Sequence, residues 1–303
     1  MALPLYTLDV FTDRRFSGNP LAVITDADAL SVEQMQAVAR ELNVSETVFV
    51  MKSENPAHSA RIRIFTPGSE LPFAGHPTIG TAILLAQLRT QMVNGERDAI
   101  IVLEQAIGTV RVGVRLREGQ AALAEFDAPK LPEKIALPPS RDRIADALGL
   151  LPREIGFENH TPQCLSAGNT FAFVPVAGLE AMAKAHVEQS HWNSVFPGGT
   201  FGGAYLYTRE CVHSGSAFHA RMFAPQIGVP EDPATGSAAV CFAGVVHDFD
   251  ALPDGVHRRI IEQGYEMGRP SSITLTLVVA GGRLVTVRIG GSAVRVIDGA
   301  ITV

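Results

Sequence analysis

Much of this chain is written twice, and the two copies differ where the residues look chemical. The first half reads Arg61-Ile-Arg63-Ile-Phe65-Thr-Pro67, then Phe73-Ala-Gly75-His76-Pro77-Thr-Ile-Gly80-Thr-Ala82. The second reads His219-Ala-Arg221-Met-Phe223-Ala-Pro225, then Glu231-Asp232-Pro233-Ala-Thr-Gly236-Ser237-Ala238. Arg63/Arg221, Phe65/Phe223 and Pro67/Pro225 lie 158 residues apart, and Pro77/Pro233, Gly80/Gly236 and Ala82/Ala238 lie 156 apart. Gly18-Asn19-Pro20-Leu-Ala22 echoes Gly168-Asn169-Thr170-Phe-Ala172 at 150, and Leu103-Glu-Gln105 echoes Ile261-Glu-Gln263 at 158. Echoes in one order with drifting offsets mark a duplicated domain, since a period this long means two similar lobes and not a solenoid of short repeats.

The 303 residues, 46% of them hydrophobic, suffice for two lobes with sizeable cores. A net charge of −6 without a basic stripe speaks against nucleic-acid binding. The opening segment lacks a basic start and is interrupted by Asp9 and Asp13, so it does not read as a signal peptide. No apolar run reaches the length of a membrane span. Cys164, Cys211 and Cys241 have no metal or redox spacing and read as three buried thiols in a reducing cytoplasm.

Local patterns place the elements. Leu3 to Phe11 alternates like a strand, and Leu21 to Ile24 is a short apolar run. Ser31-Val-Glu-Gln34 is a capping box opening a helix to about Leu42, with Asn43 suited to its left-handed end. Val44 to Val50 and Arg61 to Thr66 read as strands. Pro77 suits the first turn of a helix running through Leu88, and Ser237 to Val246 is its counterpart. Both are apolar nearly all round, which predicts a central position. Strands are expected at 99–103, 109–116, 272–280 and 283–289, with Gly281-Gly282 as a two-residue hairpin turn. Asp127 to Pro139, with four prolines, reads as the linker. The fold expected is α+β: two pseudo-symmetric lobes, each a mixed sheet or barrel around a central helix, with a ligand cleft between them. The first lobe is set at 1–127, completed by a C-terminal strand at 292–303, and the second at 128–291.

Chemistry is expected at the starts of the two central helices, Gly75-His76-Pro77 and Thr235-Gly236-Ser237. Unpaired N–H donors and a partial positive charge there suit a carboxylate or an oxyanion. His76 and Asp232 occupy equivalent positions before their prolines, and each can be read either as an N-cap or as a catalytic group. Strand alternation puts Glu46 on one face with Val48 and Val50. A desolvated carboxylate has a raised pKa and can serve as general acid and base, unless it reaches solvent or pairs with Arg61 or Arg63. By offset, Glu46 falls opposite Phe201-Gly202-Gly203-Ala204, which holds no acid or thiol. A single base suits a proton shift along an allylic system better than two-base racemisation. His213/His219 gives no metal site, being a strand-like pair without a partner carboxylate, and no nucleotide fingerprint is present.

At these residues the chain resembles the phenazine-biosynthesis PhzF family, which shares the diaminopimelate epimerase fold. The resemblance rests on the segments from Phe11 to Val23, Asn43 to Thr47, Phe73 to Pro77, Glu231 to Ala238 and Met267 to Ser271. It implies a cofactor-independent isomerase of a small carboxylate, often a homodimer. It also implies Glu46 as the acid/base group, with His76 and Asp232 in support. Gly75, Gly236, Ser237, Ser45 and Asn19 are then expected around the substrate. The related epimerases and proline racemases carry a cysteine at the head of each central helix, and this chain carries none there. An amino-acid epimerase or racemase and a non-catalytic interaction protein remain the alternatives. Arg269 is read as a substrate contact, a subunit contact or a turn cap.

Overall fold

A computed structural model describes residues 1–89 and 94–303. The first lobe contains β1 (Ala2–Val10), β2 (Asn19–Ile24), α1 (Val32–Leu42), β3 (Glu46–Met51), β4 (Ala60–Phe65) and β5 (Glu70–Leu71). It continues with α2 (Gly75–Arg89), β6 (Glu96–Gln105), β7 (Gly108–Arg117) and β8 (Ala122–Asp127). Then come β9 (Glu133–Ala136), α3 (Arg141–Leu148), β10 (Gln163–Ser166), β11 (Thr170–Pro175), α4 (Leu179–Lys184), α5 (Gln189–Val195), β12 (Gly203–Thr208), β13 (Phe218–Ala224) and β14 (Val229–Asp232). The chain ends with α6 (Gly236–Phe249), β15 (Gly255–Gln263), β16 (Ser271–Ala280) and β17 (Arg283–Thr302). In each lobe strands wrap one helix, so the α+β two-lobed architecture expected from the sequence is the one observed.

Local signals were read by the fold as written. Ser31 and Gln34 form both bonds of the capping box, and Asn43 closes α1 at φ 49°. Gly281 and Gly282, at φ 58° and 69°, turn β16 into β17 in the left-handed region that a two-residue hairpin demands. Both of their N–H groups donate to the Asp254 carboxylate at 2.8 Å. In α2 every residue from Gly75 to Ala86 is buried, as a helix without a polar face requires.

Strand pairing confirms the duplication and corrects its register. The parallel pair β2/β3 matches Leu21 with Glu46, and the parallel pair β11/β12 matches Phe171 with Gly203. Ala60 pairs with Leu103 in the first lobe as Phe218 pairs with Ile261 in the second. Ile64 then faces Leu71, and Met222 faces Asp232. The helices start at Gly75 and Gly236, 161 residues apart. The 156-residue alignment through Pro77 and Pro233 is therefore not structural; Pro72 is the counterpart of Pro233. The second lobe carries extra chain between β13 and β14, where Pro225–Ile227 forms a 3-10 turn, and this shifts everything after it. Asp232 is thus equivalent to Leu71, and His76 to Ser237, so the expected equivalence of His76 and Asp232 fails. The proline-rich linker is not free either, because β9 within it pairs with β10.

β17 joins the lobes. It pairs with β16 from Arg283 to Gly290, then with β1 from Ala293 to Thr302.

Candidate active site

The two central helices meet head to head. A Cβ placed on Gly75 would lie 2.6 Å from Gly236 Cα, and one on Gly236 would lie 2.9 Å from Gly75 Cα. Only glycine allows this approach. Around the junction stand side chains from both lobes.

Glu46 opens β3 and is 9% exposed, on the inward face it shares with Val48 and Val50. Burial, then the nearby Asp232 charge, hold its carboxyl well above the usual carboxylate range. Arg61 pairs with Glu54 and Arg63 with Glu70, so neither neutralises it. Instead Glu46 Oε2 stands 3.3 Å from His76 Nε2, and both atoms are without a hydrogen-bond partner. His76, in the first turn of α2, is driven down to about 3 by burial and is a neutral imidazole.

Asp232 ends β14. Its carboxylate accepts from Asn19 Nδ2 at 2.7 Å and from Thr235 Oγ1 at 2.6 Å, with a further bond to Ser45. Burial outweighs these bonds and lifts its pKa to about 6. Neither helix uses the N-cap expected for it: His76 lies inside α2, and Thr235 is the N-cap residue of α6. Ser237 is the second residue of α6, half-buried. Asn19 lies fully buried between the lobes, bonded to Asp232, Ala234 O and His76 Nδ1. The expected site residues are thus brought together, with Asn19 engaged by protein groups.

Sequence reasoning missed two participants. Tyr205 on β12 is fully buried, its hydroxyl unpartnered and its pKa raised by burial and by Asp232. Gln263 holds the turn before α6, donating to Asp232 O at 2.6 Å and Thr235 Oγ1 at 3.1 Å while accepting from Thr235 N. Its repeat partner Gln105 donates to Thr78 Oγ1 in α2. The signal for Gln263 was the Leu-Glu-Gln/Ile-Glu-Gln echo; Tyr205 left none.

Arg269 ties the second lobe to the segment preceding Asn19. It pairs with Asp9 at 2.6 Å and donates to the carbonyls of Ser17 and Gly18 at 2.8 and 2.9 Å. His219 overturns the expectation that it has no carboxylate partner. Its ring nitrogens lie 2.8 Å from Glu262 and 2.9 Å from Glu266, brought in by β15 and the loop after it. Hydrogen bonds to both carboxylates raise its pKa against the opposing effect of burial. Cys164 and Cys241 are buried, but Cys211 is only half-buried.

Among the described residues, nine buried side-chain polar atoms lack a partner, and four of them are Asn19 Oδ1, Glu46 Oε2, His76 Nε2 and Tyr205 Oη. Native proteins pair nearly all such atoms with protein groups or ordered water, so these four leave bonding capacity around the helix heads. Four surface cavities of about 580 to 660 Å³ lie elsewhere, and none is lined by Glu46, His76 or Asp232.

Two duplicated lobes closing on paired helix heads, with acids between them, are the architecture that solved PhzF proteins share. The chain belongs to the PhzF family and is an isomerase: residues 8–299 match the family model described as phenazine biosynthesis-like protein. It is 52% identical over 295 residues to an uncharacterized isomerase of Mesorhizobium japonicum, covering 96% of each chain. It is 34% identical over 294 residues to the trans-2,3-dihydro-3-hydroxyanthranilate isomerase of Pseudomonas aeruginosa, again covering 96% of each. A PhzF-family protein of Bacillus anthracis has the same fold, with a TM-score of 0.87 at 24% identity and full coverage of both chains. Among the described residues no helix is long and apolar enough to cross a membrane.

Proposed function

We propose that this isomerase moves a proton along an allylic system of a small carboxylate, with Glu46 as the single acid/base group and no cofactor. The observation that carries the reading is the asymmetry of the site. Glu46 opens β3, whereas Gly203 opens the equivalent β12, and a Cβ there would strike Met222 Cε and Phe223 O at 2.4 Å. Asp232 likewise has a leucine, Leu71, as its counterpart in the other lobe. With Ala74 and Thr235 before the helix starts, no thiol stands at either helix head, and the acid of the second lobe, Asp232, is held by Asn19 and Thr235.

The substrate carboxylate sits at the heads of α2 and α6, held by N–H donors at Gly75 and Gly236 and by Ser237. Glu46, made more basic by burial, takes the allylic proton as a carboxyl proton. The π electrons shift, and Glu46 returns the same proton to a more distant carbon. Composition is conserved, so no oxidant or reductant is needed. His76 and Asp232 orient the amino or hydroxyl group and assist the proton.

The named activity of the Pseudomonas relative makes trans-2,3-dihydro-3-hydroxyanthranilate the first substrate to test. In D2O, wild type is expected to turn it over and move hydrogen along the ring. Glu46→Gln is expected to lose at least ~10²-fold in kcat, and retained activity in that variant would remove Glu46 as the base. With the family goes a cytoplasmic homodimer, a proposal that a monomer in sedimentation velocity contradicts.

A further inference from the structure

Asn19 and Asn169, equivalent residues of the two lobes, make the same bond in opposite directions across the cleft. Asn19 Nδ2 donates to Ala234 O at 2.9 Å, and Asn169 Nδ2 donates to Phe73 O at 3.2 Å. Ala234 and Phe73 each lie two residues before the first glycine of a central helix. Each lobe therefore grips the helix head of the other through one side-chain amide. The Asn19 amide nitrogen does more than its counterpart: its two hydrogens serve Ala234 O and Asp232 Oδ1, the latter at 2.7 Å, and His76 Nδ1 lies against the same nitrogen at 3.2 Å.

These contacts decide the orientation of both side chains. Ala234 O can only accept, so the amide nitrogen of Asn19 must face it and Asp232. An amide NH2 group is a donor and a poor acceptor, because its lone pair is delocalised into the carbonyl. A hydrogen on His76 Nδ1 would point at that NH2 group, donor against donor. The ring proton is then left to Nε2, the nitrogen 3.3 Å from Glu46 Oε2.

We infer that Asn19 is a positioning residue through its amide nitrogen, which locks the helix head of the second lobe and fixes His76 in the Nε2–H tautomer. In that form His76 presents a donor to the space beside Glu46, where an anionic oxygen of the reacting system gains most from it. With the other tautomer a bare lone pair would face the carboxylate. The catalytic consequence rests on the acid/base reading above; the tautomer itself does not.

Protein labelled with ring-15N histidine tests the inference directly, the His76 signals being assigned by their loss in His76→Asn. Wild type is expected to show a protonated Nε2 and an unprotonated Nδ1 at pH 7. The reverse pattern overturns the inference, whether or not the Asn19 variant folds. Asn19→Ala is expected to mix the two tautomers and to lower kcat roughly 10- to 100-fold with KM little changed. Asn169→Ala loses the matching lobe contact but touches no histidine, so its His76 signals are expected to stay as in wild type. Unchanged His76 signals in folded Asn19→Ala would also refute the assignment. A wild-type ring carrying Nε2–H in an enzyme whose Glu46→Gln variant keeps its activity would instead sink the acid/base reading and leave the tautomer standing.

Discussion

Gly75→Ala tests whether the two helix heads must touch. The new Cβ would lie 2.6 Å from Gly236 Cα, 2.7 Å from its carbonyl carbon and 3.0 Å from Ser237 N. An optimal carbon–carbon contact is about 3.5–4.0 Å, so the heads must part by about 1 Å. All three atoms are backbone, and no rotamer change relieves the clash. Overpacking of this kind costs about 1–3 kcal/mol, which lowers the melting temperature by roughly 2–5 °C in a chain of this size. The catalytic loss is larger in proportion. Glu46 and His76 ride on the first lobe and Asp232 on the second, and a 1 Å misplacement of reacting groups costs about 10²-fold in rate. Thermal melts and turnover of trans-2,3-dihydro-3-hydroxyanthranilate read both effects. Gly113→Ala is the control, since its Cβ would meet nothing nearer than Glu125 O at 3.8 Å. Wild-type kcat and melting temperature in Gly75→Ala would refute the idea that the site depends on contact between the heads, and equal losses in Gly113→Ala would show the effect to be nonspecific.

The buried site also imposes opposed pH dependences on stability. Asp232, raised from 3.8 to about 6, stabilises the fold fully below pH 4, and that contribution fades as pH rises through 6. His76, lowered from 6.5 to about 3, contributes fully above pH 6.5 and loses its contribution as pH falls. In urea titrations at pH 4 and 6, the stability of wild type minus His76→Asn is expected to rise with pH, by up to about 3 kcal/mol at 1.36 kcal/mol per pH unit. Wild type minus Asp232→Asn is expected to fall with pH, and the same sign for both would contradict the assigned protonation states. Arg269→Ala removes the cation from Asp9, which is 4% exposed, and partial exposure of the arginine limits the expected loss to about 2–3 kcal/mol. Faster amide exchange at Phe16 and Gly18, whose loop the pair holds, is the accompanying sign; unchanged exchange would show that the pair does not order this loop.

What could be read locally was read. The capping box of α1, the glycine pair between β16 and β17 and the apolar faces of α2 and α6 depend on neighbours a few residues away, and the sequence carries those neighbours with it. Glu46 stood out for the same reason, as an acid on the apolar face of a short strand. The duplication was also legible, because its strands kept their spacing at 158 residues. Tertiary structure alone decided the rest. Extra chain between β13 and β14 moved the helix register to 161, so Asp232 is the counterpart of Leu71 and not of His76. Arg269 reaches Asp9 over 260 positions, and Asn19 reaches Asp232 over 213. His219 meets Glu262 and Glu266 only because β13 and β15 lie side by side. Periodicity reports which way a side chain points, but not what another lobe will place against it. That depends on how two barrels dock, a property of their surfaces together and of no single stretch of chain.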